Sequence, residues 1–144
     1  MRVPPIPDGF HTIVPNMIVN DAEKAIEFYK IAFGAEEKLR LTMPDGKITH
    51  CELIIGDSVL NLGEAMEGWP VHRLLAQLFV GDSDAFFNRA VDAGAKVTMP
   101  MADMFFGHRV GHVVDPFGGT WIISTQKEVI APEEMQRMIN QTDS

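Results

Sequence analysis

Val80-Gly81-Asp82-Ser83-Asp84-Ala85-Phe86-Phe87 restates, 61 positions on, the segment that opens Val19-Asn20-Asp21-Ala22, and Ala93-Gly94-Ala95 closes the second copy much as Phe33-Gly34-Ala35 closes the first. A repeat on this scale means two copies of one supersecondary unit. In the first copy Asn20 can cap a helix and Glu23, three positions on, completes a capping box. Ala22, Ala25, Ile26, Tyr29 and Phe33 then recur at helical spacing until Gly34 stops them. Upstream, His11 to Val19 is rich in β-branched and apolar residues and reads as a strand, while Pro4, Pro5 and Pro7 make residues 1–9 an extended arm.

Downstream, Glu37 to Met43, Lys47 to Ile55 and Ser58 to Leu62 read as strands, separated by the turns Pro44-Asp45-Gly46 and Gly56-Asp57. Residues 10–63 are therefore a β-α-β-β-β module. After a linker over 64–73, residues 74–125 repeat it with Leu74 to Val80, a helix over Ser83 to Ala93, a short strand Lys96 to Met99, and the pair Arg109 to Val114 and Thr120 to Ser124. The tail, 126–144, carries one more helix, with Pro132 in its first turn and Glu133 and Glu134 suited to its dipole. The fold class is α+β. Met99, Met101, Met104, Phe105 and Phe106 make an apolar loop that either fills the core or covers a pocket.

The chain has 144 residues, 46% hydrophobic and 22% charged, with a formal net charge of −8. That balance suits a globular domain and disfavours nucleic acid and anionic membranes as partners. No run approaches the roughly 20 apolar residues of a membrane-spanning helix, and the N-terminus has no signal-like apolar run. The single cysteine, Cys51, excludes an intrachain disulfide and a cysteine zinc cluster, so a cytoplasmic location is expected. Nucleophile-elbow, phosphate-loop and dinucleotide motifs are absent, which removes support for hydrolase, NTPase and dehydrogenase chemistry.

Ile13-Val14-Pro15 leading to Val19-Asn20-Asp21-Ala22, Ala25-Ile26-Glu27-Phe28-Tyr29, Ala32-Phe33-Gly34-Ala35, Gly56-Asp57-Ser58 and Asp115-Pro116-Phe117-Gly118-Gly119-Thr120-Trp121 resemble the vicinal-oxygen-chelate superfamily of glyoxalases, extradiol dioxygenases and bleomycin-resistance proteins, in its PhnB-like branch. The resemblance implies two βαβββ modules whose mixed sheets curl into a U-shaped cavity. It also implies helices on the outer face, a homodimer, and a metal held by one residue from each of four strands. Those four positions fall at Val14, Asn61, Leu75 and Ile122. Valine, leucine and isoleucine cannot bind a divalent ion and asparagine is a weak oxygen ligand, so the glyoxalase-type His/Glu set is missing. Gly119 stands where the branch often carries histidine.

Alternation then assigns the cavity face. Thr12, Val14, Asn16 and Ile18 share it, as do Leu75, Gln77 and Phe79, and Thr120, Ile122 and Ser124. If Gly56-Asp57 is a two-residue turn, Ile55 pairs with Ser58, Glu52 lies opposite Asn61 and His50 opposite Gly63, while Cys51, Leu53 and Ile55 face the helix. His50 and Glu52, about 6.6 Å apart along one strand, can act as acid and base, hold a metal, or simply line a ligand pocket. By module symmetry Arg109 takes the place of His50, to clamp an anionic ligand or to pair with Glu52. His108 is a third candidate metal ligand, His112 is expected to point to the helix, and His11 and His72 are expected at the surface. Trp121 and Trp69 offer aromatic surface, Trp121 to the core or a ligand and Trp69 to a pocket or a dimer contact.

The leading expectation is a small-molecule-binding protein without the four metal ligands and with no cofactor, its cavity around Asn16, His50, Glu52, Asn61, Gln77, Arg109 and Trp121. The alternative is a lyase or isomerase with a divalent metal at His50, Glu52 and His108.

Overall fold

A computed structural model describes residues 2–141, so the last three positions of the tail lie outside the described residues. The chain runs β1 (Asn16–Val19), α1 (Ala22–Phe33), β2 (Glu36–Thr42), β3 (Ile48–Ile55), β4 (Ser58–Glu64), β5 (Leu74–Phe79), α2 (Ser83–Ala93), β6 (Lys96–Asp103), β7 (His108–Val114), β8 (Gly119–Gln126) and α3 (Pro132–Gln141). Two four-stranded mixed sheets result, ordered β1-β4-β3-β2 and β5-β8-β7-β6. In each, the first strand lies parallel to the last strand of its own module, the helix crosses from the first strand at one edge to the second strand at the other, and the remaining pairs are antiparallel.

The modules meet through their helices. Apolar residues of α1 at helical spacing, Ala25, Ile26, Tyr29 and Phe33, are buried against Met17, Val19, Leu53 and Leu62 of the first sheet. Phe33 also stacks on Phe86 of α2 at 5.4 Å and meets Trp121 of β8 edge-on at 4.9 Å. Arg89 of α2 donates from Nε to the carbonyl of Ile31 at 2.5 Å, placing a cation at the negative end of α1. Beneath this seam Tyr29 donates its hydroxyl to Asp115 Oδ2 at 2.5 Å, and Trp121 Nε1 donates to the same oxygen at 2.7 Å. The buried polar cluster thus stitches α1 of one module to the last hairpin of the other.

Several boundaries differ from the expected ones. The first strand begins at Asn16, not His11, because Pro15 offers no N–H to a ladder and the chain before it leaves the sheet, leaving Ile13 86% exposed. Asp21, not Asn20, caps α1, its carboxylate accepting from Lys24 N at 3.2 Å, and Asp82 caps α2 in the same way through Ala85 N. Glu23 closes no capping box, since it pairs with Arg40 of β2. β6 runs on to Asp103, so Met99 and Met101 belong to a strand and only Met104 to Gly107 turn between β6 and β7. Asp21→Ala is expected to cost about 1 kcal/mol in urea unfolding and Asn20→Ala less than about 0.5 kcal/mol. The reverse order would restore Asn20 as the cap.

Candidate functional site

Register places the first sheet's polar residues in one row. Asn16 of β1 pairs with Asn61 of β4, Asn61 with Glu52 of β3, and Glu52 with Leu39 of β2, so all four share the face turned away from α1. His50, two residues from Glu52, shares that face, and its Nε2 lies 2.9 Å from Glu52 Oε2. Cys51 and Leu53, between and beyond them, are fully buried on the helix side. Burial pushes the Cys51 thiol up to about 11, so at neutral pH it is protonated and a poor nucleophile. We expect Cys51 to resist alkylation by iodoacetamide at pH 7.5 until denaturant is added; fast modification of the folded chain would contradict its placement.

The N-terminal arm turns back over this row. Together Pro5, Ile6, Phe10 and Val14 on the arm side and Lys38, Glu52 and Asn61 on the sheet line a pocket of about 620 Å³. A register irregularity in β2 between Glu37 and Leu39 brings Lys38 to the same face as Leu39. Its Nζ donates to the carbonyl of Asp8 at 2.8 Å and sits 4.5 Å from the Phe10 ring centroid. Lys38 therefore latches the arm. Glu52 keeps a side-chain exposure of 14%, and its only ion-pair partner among the described residues is His50. Asn61 Oδ1 is buried with no hydrogen-bond partner.

The other candidates lie elsewhere. Gln77 of β5 donates to Ser124 Oγ of β8 at 3.1 Å and borders a second cleft of about 620 Å³ between β5 and the segment from Phe10 to Pro15. Trp121 lies in the floor of that cleft, almost fully buried and anchored to Asp115. Arg109 is not the counterpart of His50. Val114 pairs with Thr120, so Arg109 pairs with Thr125 on the helix side, and its guanidinium bonds both oxygens of Asp84 at 3.1 Å. That pairing holds the Asp84 carboxyl below its usual range. The same register turns His112 to the opposite face from the helix, beside Ile122, correcting the expected orientation. His108 sits on that face of the second sheet, edge-on to Phe79 and Phe106, with its Nδ1 buried and unpartnered. Trp69 is exposed in a turn closed by Met66, and His72 bridges by its backbone to Ile18.

The donors do not fit a divalent metal. Val14, Leu75 and Ile122 offer no ligand atoms, and among the described residues no group of three or more His, Cys, Asp or Glu is placed to hold a metal ion. His50 and Glu52 stand together, but His108 belongs to the other sheet.

What alternation alone missed is the pocket's other wall. The arm and Lys38 enter it only through a bulge and a chain reversal, neither of which has a periodic signature. The one hint is proline at 4, 5 and 7, which stiffens a segment otherwise free to leave the surface.

Comparison with known proteins yields consistent relatives. The family described as Glyoxalase/Bleomycin resistance protein/Dioxygenase superfamily matches residues 9–123. An uncharacterized protein of Mycobacterium bovis is 35% identical over 136 residues, covering 85% of this chain and 88% of its own. Another, from Arabidopsis thaliana, is 34% identical over 141 residues, covering 83% and 82%. Among solved structures, TioX from Micromonospora sp. ML1 superposes with a TM-score of 0.69 at 24% identity, covering 81% of this chain and 98% of that one. A Pseudomonas aeruginosa protein gives 0.68 at 26%, covering 82% and 99%.

Proposed function

Because the chain belongs to the glyoxalase/bleomycin resistance protein/dioxygenase superfamily, we propose that it is a small-molecule-binding protein of its bleomycin-resistance type and PhnB-like branch. It would work without the family's four-residue metal site. The observation that carries this reading is the buried, unpartnered Oδ1 of Asn61 beside the half-buried Glu52, in a pocket of ligand size. An orphaned buried acceptor costs about 1–3 kcal/mol, a cost a ligand donor would recover. Against the metal alternative stands the spacing of its donors, since His50 and Glu52 share β3 of the first sheet and His108 belongs to β7 of the second.

A melting-temperature screen of a small-molecule library, run with and without chelator, tests the proposal. We expect hits that persist in chelator, because a ligand at a hundredfold excess over its Kd stabilises by about 2.7 kcal/mol. Hits that vanish in chelator, or none at all, would contradict it.

The 2.9 Å contact between His50 and Glu52 favours a second reading, in which the pair moves a proton on the bound molecule. Turnover of a screening hit, lost in Glu52→Gln while binding persists, would establish that reading; binding without turnover would dismiss it.

A homodimer and a cytoplasmic location belong to the same proposal. Leu75 and Phe79 stand 67% and 60% exposed on the second sheet and Trp69 is exposed beside the linker, apolar area suited to a second copy. Light scattering is expected to give twice the chain mass; the mass of one chain would refute the dimer. The buried free thiol of Cys51 suits a reducing compartment.

A further inference from the structure

The four sheet edges are not guarded alike. β2 carries Glu36, Glu37, Lys38 and Arg40, while β6 carries Lys96, Pro100, Asp103 and two register irregularities. β1 is only four residues long, and its Ile18 is bridged on the free side by His72. Charges, prolines, bulges and brevity keep an edge from pairing with another chain. β5, Leu74-Leu75-Ala76-Gln77-Leu78-Phe79, has no charge, no proline and no irregularity in its register. Leu74 and Val80 donate their N–H groups to the carbonyls of Gly118 and Ser124 on the β8 side. By alternation Leu75, Gln77 and Phe79 turn their N–H and C=O groups away from β8. Among the described residues no backbone partner meets them there.

Facing that edge is the cleft of about 620 Å³, with the segment from Phe10 to Pro15 as its far wall and Phe33, Phe86 and Trp121 as its floor. We propose that this cleft is a docking site for an extended segment of a partner protein, which adds to β5 as a further strand. The site is separate from the small-molecule pocket under the arm. Strand addition takes its affinity from main-chain hydrogen bonds and its selectivity from alternate side chains. Leu75, Gln77 and Phe79 supply three donors and three acceptors, which a run of secondary amides matches and a ligand with acceptors alone does not. Every second side chain of the added strand turns to the aromatic floor, so the segment is apolar at alternate positions. The cleft is lined by no lysine or arginine and by one carboxylate, that of Asp57, which with the net charge of −8 disfavours an acidic segment. A second copy pairing β5 on β5 would bring its β8 and β7 in behind, each about 4.8 Å further out, where the far wall stands. A single strand is the unit that fits.

The test is an NMR titration of the full chain with the peptide acetyl-Thr-Phe-Thr-Val-amide and with two analogues, one N-methylated at its first and third residues and one at its second and fourth. We expect saturable shifts from the parent peptide at the amides of Leu75, Gln77 and Phe79 and at the indole N–H of Trp121. One methylated analogue should bind at least about tenfold more weakly and the other within about threefold, because only alternate residues of a strand bond to one neighbour. Gln77→Pro removes an N–H that β8 does not use, so the chain should fold and bind the parent peptide at least about tenfold more weakly. Should that variant fail to fold, the methylated analogues read the same hydrogen bonds in the natural chain. Equal binding of all three peptides would overturn strand addition. Shifts confined to the arm pocket or to the open sheet faces would overturn the location, and the absence of any saturable shift would overturn the proposal outright. Slow hydrogen exchange at Leu75, Gln77 and Phe79 in the free protein, lost on dilution, would give the edge to a second copy and overturn a different partner.

Discussion

Asp115→Ala is expected to lower stability by about 3–5 kcal/mol and the melting temperature by roughly 10–20 °C. The carboxylate serves four donors: Oδ2 accepts from the Tyr29 hydroxyl and Trp121 Nε1, and Oδ1 accepts from the N–H groups of Phe117 and Gly119 at 2.7 and 3.0 Å. Tyr29 is wholly inaccessible and Asp115 and Trp121 nearly so, so water cannot readily replace the lost acceptor. Because Tyr29 comes from the first module and the rest from the second, the loss also loosens the seam between them. Tyr29→Phe, which removes one donor only, should cost about 1.5–3 kcal/mol.

Burial first, and then the charge and hydrogen bond of Asp115, raise the Tyr29 pKa well above the usual tyrosine range. A raised folded-state pKa contributes stability that is complete below the unfolded value near pH 10 and is lost as pH rises above it. Alkaline unfolding should therefore be blunted in Tyr29→Phe relative to the natural chain. Urea titrations at pH 7.5 and 10.5 check both statements; a cost below about 1 kcal/mol for Asp115→Ala would deny the cluster its role.

The second large effect is expected at Gly119. A side chain there would run its Cβ into Asp115 Oδ2 and to 2.6 Å from Trp121 Nε1, neither of which can move without breaking its bond to the other. Gly119→Ala should cost about 2–3 kcal/mol by overpacking, and Gly119→His more. The space beside Asp115 and Trp121 therefore has no room for a histidine at this position. If Gly119→His folded with unchanged stability, the packing around Asp115 would have to differ from that described.

The sequence displays the repeat because each module must bury one helix face on one sheet face, and both periods are legible in Ala25-Ile26-Tyr29-Phe33 and in the alternation of β3. The pairing of Glu52 with Asn61 follows from one short turn, whose length fixes the register of β3 on β4. Registers set by longer connections do not follow so simply. The connection from Asp115 to Gly118 sets Val114 opposite Thr120, and that pairing, one residue off the module-symmetry reading, gives Arg109 and His112 the opposite faces. The prolines mark the arm in the sequence, but its turn at Gly9 and its return across the sheet depend on Lys38, whose direction a bulge decides.

Elemental analysis distinguishes a metal-free pocket from a rearranged metal centre, on protein purified without chelator and again after incubation with Mg, Mn, Fe, Co, Ni or Zn salts. We expect far less than one metal ion per chain in every case, with library hits still binding the same metal-free protein. Near-stoichiometric metal that disappears in His50→Ala would contradict it, and would make His50 and Glu52 the core of a rearranged metal centre.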